Sequence, residues 1–288
     1  MRLLKRLVPA PLRRRLQPYR HRVLYWGHGV ADVADRLLGR RRPLVPPRRL
    51  AFMVGGDFEG VGRSMLRQLV ETGGLRPDDR VLDVGCGVGR IAVPLTGFLS
   101  SRGSYEGFDS WRPGVRWCQK NVTPRFPSFR FQVADLYNEF YTPRGRFKAS
   151  EYRFPYPDAS FDFVFLTSVF THLLPEDLEN YLSEVARVLR PGGRTLITYF
   201  LWGGEAAPDL SGSQPALDFR YDFGRYRSIS EHGKEAAVAY DERAIRQLYA
   251  SNGLMIQEPI VRGAWSGFAN PTSFQDIVVA TRAGASLE

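Results

Sequence analysis

The chain has 288 residues, 43% of them apolar, and a formal net charge of +10. This length allows one large domain or two small ones, and the apolar share is sufficient for a sizeable core. Its two cysteines, Cys86 and Cys118, form no CxxC or Cys/His cluster, so we expect neither a disulfide framework nor a bound metal. No apolar run is long enough to span a bilayer, and prolines and arginines interrupt the region of a signal peptide; we therefore expect a cytoplasmic protein.

The positive charge is concentrated at the start of the chain. Residues 1–49 contain 14 Lys/Arg and only two acids, Asp32 and Asp35, whereas the remaining residues carry a net charge of −2. We predict a basic, partly helical arm and linker over 1–49, followed by a second unit over 50–288. Three roles for the arm stay open: peripheral contact with an anionic membrane at its inner surface, phosphate contact with nucleic acid, or a solubilising or oligomerising tail. We expect no specific nucleic-acid partner because the arm has few aromatic residues, and the oligomeric state is not indicated.

Hydrophobic spacing and turn residues predict alternating strands and helices along the second unit. Helices are predicted within 21–39 of the arm, at 58–72, from near Gly89, and at 115–121, 175–190 and 241–252. Strands are predicted at 81–84, 105–109, 129–133, 161–166, 195–201, 254–260 and 274–280. Alternation of this kind implies an α/β fold with a mainly parallel sheet and helices on both faces, and such sheets bind ligands at the carboxyl ends of their strands.

A glycine-rich turn follows the first of these strands. The apolar strand 81–84 contains an acid, Asp83, which is costly to bury without a partner, and the turn 85–89 then repeats glycine as G-x-G-x-G. Glycine permits a tight turn and lets a ligand approach the backbone. A dinucleotide fingerprint would need a third glycine at the position of Arg90, so the pattern departs from a nicotinamide cofactor site.

Two further acids end the next two strands. Asp109 lies 20 residues after Gly89, where a carboxylate can accept hydrogen bonds from both ribose hydroxyls of an adenosine. Asp135 ends the following strand, where it could reach an adenine amino group. The glycine turn and the two acids together indicate an adenosine-containing cofactor at one edge of the sheet.

Five ordered motifs resemble the class I S-adenosylmethionine-dependent methyltransferases, in particular their small-molecule branch that acts on ubiquinone and menaquinone precursors. The motifs are Val81–Arg90, Phe108–Asp109, Val133–Leu136, Arg153–Val164 and Glu184–Arg194. The resemblance covers about residues 58–282. It implies a Rossmann-like seven-stranded sheet whose last strand is antiparallel, and S-adenosylmethionine as the cofactor.

The resemblance also implies roles for individual residues. Asp83 and the glycine backbone would face the methionyl end, Asp109 the ribose, and Asp135 with the backbone of Leu136 the adenine. Trp111 is either a wall of the adenine subsite or an ordinary packed residue. The full set of expected cofactor contacts is Asp83, Gly85, Cys86, Gly87, Gly89, Asp109, Ser110, Trp111, Asp135, Leu136 and Thr167.

His172, just past the fourth strand, is the candidate catalytic base, because imidazole accepts a hydroxyl proton near neutral pH. A histidine here could instead line the site or pack, and His232 is a weaker candidate. Two insertions rich in aromatic and cationic residues, at about 136–153 and 202–240, would either select the acceptor or pack upon themselves as a lid.

We therefore predict an S-adenosylmethionine-dependent methyltransferase that acts on a small-molecule, lipid-linked or glycan acceptor, most simply by O-methylation through in-line methyl transfer. No Asn-Pro-Pro-Tyr-like tetrapeptide follows the fourth strand, and this favours oxygen or carbon over nitrogen. Two alternatives remain: an RNA or protein methyltransferase, and a non-catalytic protein that binds the cofactor.

Overall fold

The computed structural model of the protein describes residues 25, 27–40, 42–137, 144–203, 216–268 and 271–284. Most of the predicted basic arm, and Phe140 and Tyr141 of the first insertion, lie outside these residues. The chain divides into two compact units between Val61 and Gly62. Among the described residues, no helix is both long and apolar enough to cross a membrane.

The first unit is built from short helices. Helix α1 covers residues 27–37, and Gly39 just beyond it has a φ of 63°, which lets the chain turn back through the left-handed region. Helix α2 (Arg48–Val54) follows, and α3 (Phe58–Glu71) begins in this unit. The buried Asp32 of α1 accepts hydrogen bonds from the backbone amides of Arg48 and Arg49 at the start of α2.

A seven-stranded sheet organises the second unit, as predicted. Its strands are β1 (Arg80–Val84), β2 (Ser104–Asp109), β3 (Phe129–Val133), β4 (Phe161–Leu166), β5 (Leu189–Tyr199), β10 (Leu254–Ile256) and β11 (Asp276–Arg282). Their order is β10-β11-β5-β4-β1-β2-β3, and the five strands from β1 to β5 are parallel. The last strand, β11, is antiparallel to β5. The carboxyl ends of β1, β2 and β3 therefore lie side by side.

Helices flank this sheet and bury one face each. They are α3, α4 (Ala92–Leu95), α5 (Arg112–Asn121), α6 (Pro175–Val188) and α7 (Glu242–Ser251). Helix α4 is much shorter than the helix predicted from near Gly89. Pro94 offers no amide hydrogen to continue the helical ladder and Gly97 is a weak helix former, so turns carry the remaining apolar residues inward.

The largest boundary error concerns the end of α6. We predicted helix up to Arg190 and a strand from residue 195, whereas β5 already begins at Leu189. Gly192 has a φ of 73°, and the pairing of β4 with β5 shifts register between Phe161 and Phe163. An irregular strand therefore replaces the predicted turn. All six residues of β4 are buried, as expected for a central strand covered on both faces.

The second insertion forms a small sheet of its own, which the sequence did not predict. Strands β6 (Leu201–Trp202), β7 (Tyr221–Asp222), β8 (Tyr226–Ser228) and β9 (Val238–Asp241) pair in the order β6-β9-β8-β7. Phe219 of the insertion packs on Phe200 and Trp265, with ring centroids 5.2 and 5.3 Å away. Much of the aromatic content of the described insertion is thus packed internally.

Candidate functional site

The glycine turn after β1 adopts a conformation that only glycine accepts readily. Gly85, Gly87 and Gly89 have φ angles of 86°, 55° and 72°. Space is also limiting: a Cβ on Gly85 would lie 2.4 Å from Cγ2 of Val169, and one on Gly89 would lie 2.8 Å from Sγ of Cys118. These glycines let the turn 85–89, hereafter the glycine loop, pack between α5 and the segment after β4.

The end of β2 braces the glycine loop. The carbonyl oxygen of Phe108 accepts hydrogen bonds from the amides of Gly85 and Cys86, at 2.9 and 3.1 Å. The carboxylate of Asp109 accepts one hydrogen bond on each oxygen, from the Gly87 amide at 2.8 Å and the Trp111 amide at 2.7 Å. Burial raises the pKa of Asp109, and these two amides oppose that rise. Each carboxylate oxygen retains a second lone pair, so Asp109 can also accept from the two hydroxyls of a ribose.

Helix α5 starts directly against the glycine loop. A Cβ on Gly114, in its first turn, would lie 2.6 Å from the carbonyl oxygen of Gly87 and 2.6 Å from Cε3 of Trp111. Trp111 precedes the helix, and both it and Ser110 are half-buried. The structure therefore brings both residues to the rim of the loop, where the sequence predicted cofactor contacts.

Asp83 has a partner that the sequence pattern did not predict. Its side chain is 2% exposed, and the Tyr105 hydroxyl donates a hydrogen bond to its Oδ2 at 2.6 Å. Asp83 on β1 is in register with Gly107 on β2, and a Cβ on Gly107 would lie 2.8 Å from the Tyr105 hydroxyl oxygen. The absent side chain leaves room for that hydroxyl. A glycine two residues after a tyrosine in an apolar strand was the available signal.

The electrostatics of Asp83 are those of a carboxylate in an apolar interior. Burial raises its pKa to about 7, the negative charge of Asp109 adds to the rise, and the Tyr105 hydrogen bond opposes it. Tyr105 is the one hydrogen-bond donor that the described residues give to Asp83. The carboxylate can therefore accept an ammonium group, and such a cation would favour its charged form.

The third predicted acid is engaged by the first insertion. Asp135, after β3, forms an ion pair with Arg146 at 2.5 Å, and its carbonyl oxygen accepts from the amides of Arg146 and Phe147. The Arg146 guanidinium holds the pKa of Asp135 below its usual range. Leu136 is buried and forms an isolated bridge with Phe147. The insertion thus folds back onto the residues expected to meet the adenine.

The segment after β4 forms the other side of the loop. Thr167 is half-buried, and Ser168 has a φ of 57°, which is uncommon for a residue with a side chain. The Ser168 amide donates to Oγ1 of Thr198 at 2.8 Å, and its hydroxyl donates to Oε1 of Gln275 at 3.1 Å. The left-handed backbone conformation of Ser168 places Val169 over Gly85. No sequence signal predicts this conformation.

His172 lies in a short 3-10 helix, Phe170–His172, and its side chain is exposed. Its Nδ1 is 2.8 Å from the carbonyl oxygen of Glu235 in the second insertion. A carbonyl only accepts, so Nδ1 carries the proton in this contact, and in the neutral ring Nε2 is the basic nitrogen. His232, the weaker candidate, is also exposed.

Cys86 is a packing residue of the glycine loop. Its thiol is 6% exposed, and burial raises its pKa well above the usual value, with the charges of Asp109 and Asp83 adding to the effect. A thiol in this state is not nucleophilic at neutral pH. Any contact with a cofactor would therefore come through its backbone and its small volume.

Taken together, these residues fit S-adenosylmethionine. The glycine loop offers close backbone approach, Asp109 stands at its rim with spare acceptor capacity, and the buried carboxylate of Asp83 suits an ammonium ion. All three features lie at the carboxyl ends of adjacent parallel strands, which is where ligands bind in open α/β sheets.

Comparisons with known proteins agree with this reading. Residues 82–197 match the family described as "Methyltransferase domain". The phthiotriol/phenolphthiotriol dimycocerosates methyltransferase 1 of Mycobacterium ulcerans is 36% identical over 137 residues, which is 46% of this chain and 43% of that protein. The 27-O-demethylrifamycin SV methyltransferase of Amycolatopsis mediterranei is 30% identical over 169 residues, which is 58% of this chain and 52% of that protein.

The match thus spans about half the length of these curated relatives. Among solved structures, the [4+2]-cyclase SpnF is similar with a TM-score of 0.50 at 15% identity, covering 78% of this chain and 81% of that one. At this identity the likeness concerns the fold alone. The glycine loop and its acids lie within residues 82–197, the segment of the chain that matches the methyltransferase domain family.

Proposed function

We propose that the protein transfers a methyl group from S-adenosylmethionine to a small-molecule or lipid-linked acceptor, most simply to an oxygen atom. The observation that carries the cofactor assignment is the position of Asp109, whose carboxylate is fixed by the Gly87 and Trp111 amides at the rim of the glycine loop. The two relatives described above support the acceptor class, because they are named as methyltransferases of phthiotriol/phenolphthiotriol dimycocerosates and of 27-O-demethylrifamycin SV.

The bound cofactor supplies an electrophilic methyl group on a sulfonium ion, so the chain mainly has to align the two reactants and exclude water. Asp109 would hold the ribose, Asp83 the ammonium group, and the glycine loop the methionyl backbone. Asp135 and the backbone of Leu136 would meet the adenine, with the half-buried Trp111 beside it.

His172 would remove the proton of a hydroxyl acceptor. The carbonyl of Glu235 fixes the tautomer in which Nδ1 is protonated, and this leaves the Nε2 lone pair to accept a proton. The same contact ties the segment after β4 to the second insertion. We therefore assign His172 two linked tasks, proton acceptance and positioning of the insertion.

The second insertion would form part of the acceptor site. Its described residues place the guanidinium of Arg227 4.8 Å from the ring of the half-buried Trp202, and Tyr240 donates to the carbonyl of Leu173 close to His172. Aromatic and cationic groups within this insertion suit a phenol, a sugar or an anionic group on the acceptor.

We further propose that the enzyme works in the cytoplasm at the inner membrane surface, with residues 1–49 in contact with anionic lipid. The support is their charge: 14 bases against two acids. A lipid-linked acceptor would be presented at that surface. This part of the proposal is independent of the methyl-transfer chemistry and is tested separately below.

The central test is calorimetric titration of the full chain with S-adenosylmethionine and S-adenosylhomocysteine. Asp109→Ala should weaken both affinities by about a hundredfold or more, because it removes the ribose acceptor and releases two amides. Glu106→Gln, on the same strand, is the matched control and should bind normally. Transfer of labelled methyl from the cofactor should then be measured on hydroxylated lipids, small phenols, RNA and protein. Absence of cofactor binding to the wild type would refute the assignment, and transfer only to RNA or protein would refute the acceptor class.

A further inference from the structure

Helix α1 presents an apolar face that no described residue of its own unit covers. Val30, Val33 and Leu37, hereafter the apolar stripe, are 73%, 58% and 81% exposed. Their spacing of three and four residues places them on one side of the helix, over a length of about 10 Å. Leu38, just past the helix, is 60% exposed as well.

The opposite side of α1 is already used. Asp32 is buried against the amides that begin α2, Asp35 forms an ion pair with Arg48 at 2.7 Å, and the His28 ring lies 5.0 Å from that of Phe52. Contacts within the first unit therefore fix which side of the helix faces inward. The apolar stripe faces away because α1 cannot turn over without breaking them.

The same contacts remove the negative charge from the outer side. Asp32 and Asp35 are the only acids of residues 1–49, and both lie on the inner side of α1. Arg36 and Arg40 are exposed. The outer side of α1 and the turn after it thus combine aliphatic side chains with two arginines that form no ion pair with a described residue, which is the composition of helices that lie in a membrane interface.

We propose that the apolar stripe of α1 inserts into the surface of an anionic lipid bilayer while the surrounding arginines contact the lipid phosphates. This inference rests on the membrane contact proposed above for residues 1–49 and names the surface that makes it. A nucleic acid would match the charge but would leave the three aliphatic side chains without an apolar partner. A second copy of the chain would cover the stripe but would bring two arms of charge +12 together.

Density-gradient flotation of the full chain tests the proposal. One set of vesicles is phosphatidylcholine alone, and the other is an equal mixture of phosphatidylcholine and phosphatidylglycerol. The stripe variant carries Val30→Gln, Val33→Gln and Leu37→Gln, and the charge variant carries Arg36→Gln and Arg40→Gln. Glutamine is a better helix former than valine, so α1 should persist, which circular dichroism verifies. Met255→Gln, at a 59% exposed methionine of the second unit, is the matched control.

We expect the wild type and Met255→Gln to float with the phosphatidylglycerol vesicles. The stripe variant should lose at least about tenfold in vesicle partitioning, because three aliphatic side chains no longer leave water. The charge variant should lose partitioning at about 0.1 M salt and resemble the wild type near 1 M, where screening is strong. Cofactor affinity should stay unchanged in every variant, which separates this result from any failure of the methyltransferase assignment.

Three outcomes would overturn the inference. The stripe variant could float like the wild type while deletion of residues 1–49 abolishes flotation. In that case the charge of residues 1–49 alone makes the contact, so the role of the apolar stripe is refuted and the proposed membrane contact is retained. If the wild type does not float with either kind of vesicle, both the role of the apolar stripe and the proposed membrane contact are refuted. If the wild type is a dimer by light scattering, does not float, and the stripe variant is a monomer, the stripe binds a second copy instead.

Discussion

The Tyr105 hydroxyl reaches across from β2 to donate a 2.6 Å hydrogen bond to the buried carboxylate of Asp83 on β1. It can do so because Gly107, in register with Asp83, has no side chain in the way. Tyr105 is thus a positioning residue for Asp83, and three residues on two strands set the charge at the base of the proposed cofactor site.

Replacing Asp83 with Asn should make the protein more stable at neutral pH. Because burial raises the pKa of Asp83 to about 7, the folded chain retains a proton that the unfolded chain has already released. The stability that this retained proton contributes is fully present below the ordinary carboxyl pKa. As the pH rises from about 4 to about 7, the free energy of unfolding of the wild type falls by about 1.4 kcal/mol per pH unit. Denaturant unfolding at several pH values should therefore show the advantage of Asp83→Asn growing over that interval and then levelling off.

The same variant should bind the cofactor more weakly, because a neutral amide cannot compensate an ammonium charge. If the free energies of unfolding of the wild type and Asp83→Asn changed in parallel between about pH 4 and pH 7, the pKa of Asp83 would not be raised and the prediction would be wrong.

Tyr105→Phe should weaken cofactor binding in a pH-dependent way. Loss of the hydroxyl removes the hydrogen bond that opposes the raised pKa of Asp83, so the carboxyl group is neutral over a wider range. Near pH 7 the affinity for S-adenosylmethionine should fall about tenfold and partly recover at higher pH. The titratable groups that interact with Asp83 include the carboxylate of Asp109, the hydroxyl of Tyr105 and the buried thiols of Cys86 and Cys118.

Tyr249→Phe supplies the control for that experiment. Its hydroxyl is also buried and lies 3.0 Å from that of Tyr199, but it is far along the chain from the glycine loop. This variant should lose stability and keep both the affinity and its pH dependence. If both variants lost affinity equally, general destabilisation of the fold would explain the effect of Tyr105→Phe.

Gly114→Ala should disturb the contact between α5 and the glycine loop. Its new Cβ would lie 2.6 Å from the Gly87 carbonyl oxygen, and the helix must move to relieve the collision. Overpacking of this kind costs about 1–3 kcal/mol, and the displaced Gly87 amide would leave Asp109. Thermal unfolding and calorimetry should show lower stability and weaker cofactor binding.

Gly97→Ala is the corresponding control, because its Cβ would meet nothing closer than the Pro94 carbonyl oxygen at 3.8 Å. We expect it to unfold and bind like the wild type. Full cofactor affinity in Gly114→Ala would mean that the loop does not depend on α5 for its position.

His172→Ala should abolish methyl transfer to a hydroxyl acceptor and leave cofactor binding intact. In His172→Gln the side chain can still donate a hydrogen bond to the Glu235 carbonyl, so this variant should keep the insertion in place. It should nevertheless be inactive, because an amide does not act as a base. Comparison of the two variants therefore separates proton acceptance from positioning. Near-normal turnover in His172→Gln would refute the base role, and His232→Ala should behave as the wild type.

The seven-stranded sheet and the glycine loop were predictable because they depend on local patterns. Runs of apolar residues such as β4 indicate strands buried on both faces, and three alternate glycines require left-handed backbone angles wherever they fold. The alternation of strands and helices along the chain was enough to predict that Asp109 and Asp135 lie at or just after the ends of neighbouring strands. Errors fell where patterns were ambiguous, as at the end of α6, or where Pro94 shortened a helix.

The sequence by itself determined the strands, the glycine loop and the acids at or near the ends of three strands, since strand periodicity and glycine geometry act over a few residues. The antiparallel last strand and the expected cofactor came from the family resemblance. Only the tertiary structure decided which groups these residues meet. Tyr105 reaches Asp83, Arg146 pairs with Asp135, and His172 binds the carbonyl of Glu235. These contacts join residues 11 to 63 positions apart, so they depend on strand register and on how the insertions fold back, neither of which a local pattern encodes.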